Sequence, residues 1–143
     1  MGRADVVKQQ DKYVAFKTAY QTIAHYQDQG NFIGAYVVAF SLIEDRVRAM
    51  FVVQYRSAND GASPSPQRIA ESFAKHVRQL QVASVIPQEK ATQLLEEAKR
   101  RNELLHAAMC NLKAFDEAAV DRGIKLARIV DKLRYAQKKE RDQ

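Results

Sequence analysis

Apolar residues recur along this chain at steps of three and four, the spacing of one face of an α-helix. Val6, Tyr13, Phe16, Tyr20 and Ile23 form the first such stripe, which predicts helix one from about Ala4 to Gln29. Gly30 suits the left-handed residue that closes a helix, and Asn31 suits the cap of the next. So short a connection predicts an antiparallel hairpin. Helix two is expected from about Phe32 to Tyr55. Its first half is apolar almost all round, through Ile33, Tyr36, Val37, Val38, Phe40, Leu42 and Ile43. A helix of that kind is central or lies in an interface. Ser57 to Ser65 is rich in Gly, Ser, Asn and Pro and predicts an exposed loop.

Ser65 followed by Pro66 is a helix start, and helix three is expected to run to about Ala83 with Ile69, Phe73, Val77 and Leu80 inward. A turn at Ser84 to Ile86 leads to helix four, which starts near Pro87 and ends near Asn111 to Phe115. Its inner stripe is Ala91, Leu94, Leu95, Ala98, Leu105 and Met109. Asp116 can cap helix five, which is expected to reach about Lys139 with Ala119, Leu126, Val130 and Leu133 inward. Gly123 within it permits close packing, and the charged end, 138–143, is expected to fray. The pattern predicts an all-α domain over residues 1–143: an up-down bundle of four long helices with a short additional one.

Composition narrows this further. With 46% hydrophobic residues in 143, one domain with a real core is expected. Lys and Arg number 23 against 17 Asp and Glu, a net charge of +6, which favours polyanionic partners. The single cysteine, Cys110, leaves no internal disulfide and suggests a reducing compartment. The first residues lack the apolar core of a secretory signal. The most apolar window, Phe32 to Val53, carries Glu44, Asp45, Arg46 and Arg48, too many charges for a membrane span. A cytoplasmic protein with no membrane partner is expected. His25, His76 and His106 are far apart, no Cys pair exists, and Glu96-Glu97 lacks a repeated Glu-x-x-His pattern. Neither a zinc site nor a di-iron site is expected, and no P-loop or Gly-x-Ser-x-Gly motif occurs. No metal or other cofactor is therefore expected. His76, beside the inner face of helix three, reads as structural. The six tyrosines read as core and hairpin packing rather than as stacking platforms for bases.

One stretch breaks the pattern. Continuing the stripe from Ala98 toward Leu105, positions 101 and 102 are due for hydrophobes, and the chain has Arg101 and Asn102. Polar residues at core positions need a partner or a use. Asn102 sits one turn before His106. Arginine offers a fixed cationic fork for phosphate, and histidine can give or take a proton near neutral pH. Glu44 has two readings. It can form a solvated pair with Arg48, four residues on, or it can face the Arg101 and His106 helix and fix the Arg or the His tautomer.

The run Arg101-Asn102 to His106, near the end of a penultimate helix, resembles the spaced Arg-to-His motif of HEPN domains. That resemblance implies an all-α fold and a metal-independent endoribonuclease of toxin, antiviral-defence or phage-related type. It implies a homodimer whose cleft combines the Arg and His of both protomers. Arg101 and His106 would be catalytic, supported by Asn102 and Glu44, with RNA as substrate and an antitoxin or regulatory protein as possible partner. In the branch paired with nucleotidyltransferase antitoxins a Tyr follows the His by two, and here that position is Ala108. Control through such a Tyr is therefore not expected. The family also has members that only bind, so a non-catalytic RNA- or protein-binding module is the alternative. A structural dimer with helix two as its seam is a third reading.

Overall fold

The computed structural model describes residues 17–108 and 115–141. Among them are six helices and no strand: α1 (17–28), α2 (Phe32–Ala58), α3 (Pro66–Ile69), α4 (Phe73–Val82), α5 (Gln88–Ala108) and α6 (Glu117–Arg141). The all-α class expected from periodicity is the one adopted. The N-terminal half expected for helix one, the end of helix four, Met109 and Cys110 lie outside the described residues.

Local hydrogen bonding sets the boundaries. Gly30, at φ 71, closes α1 while Asn31 N–H donates to Tyr26 C=O and Gly30 N–H to Gln27 C=O. Asn31 Oδ1 then accepts from Gly34 N–H to start α2. Ser65 and Asp116 cap as expected, accepting from Arg68 N–H and Ala119 N–H. Helix three is not continuous. Ser72 Oγ accepts from Lys75 N–H and starts a fresh helix, so the expected segment splits into α3 and α4. The loop after α2 is shorter than expected, because α2 continues through Ala58. The charged end of α6 is helical at 138, and residues 142–143 lie outside the described residues. It stays helical through Arg141, with Gln137 Nε2–H donating to Met50 C=O near its end.

α2 is the central element. Tyr36, Ile43, Val47 and Met50 have no exposed surface, and Ile23 of α1, Val77 and Leu80 of α4, Leu94 of α5 and Val130 of α6 are buried with them. On α6, Gly123 meets Tyr36 and Ala39, Asp131 pairs with Arg46, and Gln137 reaches Met50. These links ascend together, so α2 and α6 run parallel. α5 reaches α2 through polar links. Its links to α2, Glu97 with Tyr36 and Arg101 with Glu44, also ascend in one sense, whereas antiparallel neighbours would give the opposite order. Periodicity says which face is apolar but not the direction of a crossing, and here polar pairs accompany that direction.

A Cβ on Gly123 would stand 3.2 Å from Ala39 Cβ and 3.7 Å from the Tyr36 ring. Gly123→Leu must therefore push α6 from α2. We expect a loss of about 1–3 kcal/mol, the usual cost of overpacking, read as an earlier midpoint in urea denaturation.

Candidate functional site

The site is built on the face of α5 that turns toward α2. Ala91 and Leu94 are buried, and the next inward position is Glu97, only 1% exposed. A buried carboxylate is costly unless donors surround it. Tyr36 O–H donates to Glu97 Oε1 at 2.7 Å, while Arg122 Nε and Arg100 Nη1 stand 3.4 Å and 3.5 Å from Oε2. Burial, reinforced by the bond to Glu97 and its charge, holds the Tyr36 phenol well above the usual tyrosine range. Sequence reading passed over Glu97. The available signal was its register, three after Leu94 and four before Arg101.

One turn further, Arg101 fills the place due for a hydrophobe by lying on one. Its guanidinium carbon is 4.3 Å from the centroid of the Phe40 ring. Its Nη1 donates to Glu44 Oε1 at 2.5 Å, and Asn102 Oδ1 stands 3.4 Å from both Nε and Nη2. Glu44 thus faces α5 and takes Arg101, not Arg48, as its partner. The side chain of Arg101 is 25% exposed, so the fork is fixed and part of it meets solvent.

His106 is exposed one turn beyond Asn102 and, among the described residues, makes no hydrogen bond or ion pair. The structure gathers Glu44, Arg101 and Asn102 into one cluster and leaves His106 outside it. Leu105, expected on the inner stripe, is instead 42% exposed. Val37, one turn before Phe40 on α2, is 45% exposed. His76 is structural in its setting: buried, stacked on Phe51 at 4.4 Å, with Nε2–H donating to Arg68 C=O at 3.0 Å.

A second polar cluster ties three helices. Asp131 accepts from Tyr20 O–H at 2.8 Å and pairs with the buried Arg46. Burial first, then the bond to Asp131, pushes the Tyr20 phenol up to about 12. Both Tyr20 and Tyr36 hold their proton more tightly folded than unfolded, so their contribution is complete below about pH 10 and is lost as pH rises through the folded values. Stability should fall between about pH 10 and 12. Tyr20→Phe should flatten that fall in denaturation midpoints measured across the range. An unchanged fall would contradict the assignment.

Chemically, the α2 and α5 cluster offers a preset guanidinium, an amide beside it and an imidazole one turn away in solvent. No helix among the described residues is long and apolar enough to cross a membrane. Comparison of the chain with protein-family models, curated proteins and solved structures found no match.

Proposed function

We propose that the chain is a HEPN-type endoribonuclease, related to toxins or defence proteins, that acts as a homodimer and cleaves RNA without a metal. The observation that carries the proposal is the Arg101 cluster: a guanidinium held by Glu44, Asn102 and the Phe40 ring, with an exposed imidazole one turn beyond Asn102 on the same helix. In this scheme His106 gives or takes a proton at the 2′-hydroxyl or the leaving oxygen. Arg101 stabilises the negative charge that builds on the non-bridging oxygens of the phosphorane. Asn102, bonded to the one and a turn from the other, orients the pair. His106 does not touch Arg101 within one chain, and a composite cleft supplies the Arg of one protomer to the His of the other. The exposed Leu105 and Val37, at the edges of the cluster, are the apolar contacts such a pairing would cover. The chain has +6 net charge, which draws a polyanion toward it. An HEPN-like bundle and a regulatory antitoxin belong to the same proposal. The test is cleavage of RNA by the native chain in EDTA, set against Arg101→Ala and His106→Ala.

The alternative is a binding module without catalysis. It is favoured by the engagement of Arg101 with Glu44, which neutralises part of its charge in the single chain. A native chain that binds RNA but cleaves none would decide for it.

A further inference from the structure

The outer face of α6 carries a line of cations that the α2 and α5 cluster does not use. Lys125, Arg128, Lys132, Tyr135 and Lys139 fall within roughly 80° of the helix circumference at ~100° per residue, and all five are exposed. They span about 21 Å at ~1.5 Å per residue. Between Arg122 and Lys139 the only acid is Asp131, turned to Arg46 and Tyr20, and Asp121, one turn before Lys125, closes the near end of the line. Among the described residues no ion pair engages these four cations, and like charges at such spacing repel one another. Tyr135 stands in the line with 64% of its surface exposed, and Lys139 Nζ lies 5.7 Å from its ring centroid. An exposed aromatic ring interleaved with unneutralised cations is how proteins hold single strands: cations follow the phosphates and a base stacks on the ring.

We propose that the outer face of α6 is a binding track for single-stranded RNA, with phosphates on Lys125, Arg128, Lys132 and Lys139 and a base on Tyr135. It extends the ribonuclease reading to how the substrate strand is held. A lipid surface fits the face less well. Val120, Leu126 and Val130 of α6 are buried, and Ile124 and Ile129, which flank the cations, are packed against the core and only partly exposed, which leaves little to insert among acyl chains. Beyond the near end of the track, Arg122 turns to α5, where it shares Glu97 with Arg100.

Binding tests this apart from cleavage. The full chain would be titrated with a ~12-nucleotide 2′-O-methyl RNA strand, which has no free hydroxyl to attack, at several salt concentrations. Each phosphate contact on a single strand contributes about 0.7 to the slope of log affinity against log salt. The triple variant Lys125→Gln, Arg128→Gln, Lys132→Gln should bind more weakly with a slope about 2 units shallower. Tyr135→Ala should weaken binding roughly 5- to 150-fold with the slope unchanged, since stacking carries no counterion release. A triple variant that keeps the parent affinity and slope overturns the track, whether or not the native chain cleaves RNA. A triple variant that loses only sedimentation with phosphatidylserine vesicles, while binding the strand normally, overturns it in favour of a lipid surface. Normal salt-dependent losses in a chain that cleaves nothing support the track and remove the nuclease reading.

Discussion

His106→Ala is expected to lower RNA cleavage roughly 100- to 10,000-fold, the range that a positioned proton donor or acceptor contributes. The side chain is exposed and, among the described residues, has no hydrogen-bond or ion-pair partner to lose, so its removal should leave thermal stability close to the parent. That separates a chemical role from a structural one. Arg101→Ala should cost about 100- to 1,000-fold if its fork stabilises the transition state. Arg101→Lys should not restore activity. Lysine keeps the charge but loses the planar group that lies on Phe40 and reaches Glu44 and Asn102 together. Cleavage should persist in EDTA, and DNA, which lacks the 2′-hydroxyl, should be spared. The readout is initial rate on single-stranded RNA, with circular dichroism to confirm folding. Full activity in His106→Ala sinks the catalytic assignment. Loss of activity on chelation contradicts the metal-free scheme.

Glu97→Ala should be among the most destabilising single changes in the described region, by roughly 3 kcal/mol. Breaking a buried charge pair costs about 3–5 kcal/mol, and the lower end applies because the Arg100 and Arg122 side chains, 51% and 39% exposed, can turn to water. The Tyr36 hydroxyl cannot. It has no exposed surface and would lose its acceptor. For a chain of this size that corresponds to a melting point lower by about 10 °C. Glu97→Gln keeps an acceptor for Tyr36 and should cost less than Glu97→Ala. Adding Tyr36→Phe to Glu97→Ala should cost less than the sum of the two, because the orphaned hydroxyl goes with it. Thermal and urea unfolding of the parent, Glu97→Ala, Glu97→Gln, Tyr36→Phe and the double variant checks this. A Glu97→Ala midpoint equal to the parent would mean that the carboxylate is not the buried hub described.

Much of the helical framework was legible in the residues because it depends on neighbours three and four apart. The stripes through Ile23, Val77 and Val130, the caps at Asn31, Ser65 and Asp116, and the centrality of α2 all follow from local periodicity and capping chemistry. The interruption at Arg101 and Asn102 was visible for the same reason. The cation spacing on α6 was also there to be read, although the exposure of Tyr135 was not, since it depends on which side of α6 meets α2. The break at Ser72 was a local signal outweighed by a continuous apolar stripe.

What only the tertiary structure decided are the long-range polar partners. Glu44 had Arg48 one turn away on its own helix and pairs instead with Arg101, 57 residues on. Glu97 showed in the sequence only as half of the Glu96-Glu97 pair and is buried against Tyr36, 61 residues earlier. Leu105 matched the inner stripe and faces outward. Each depends on the angle and direction at which α5 crosses α2, and a residue's own helix does not contain that angle. Packing of whole helices sets it, and side chains then take the partners the crossing brings within reach.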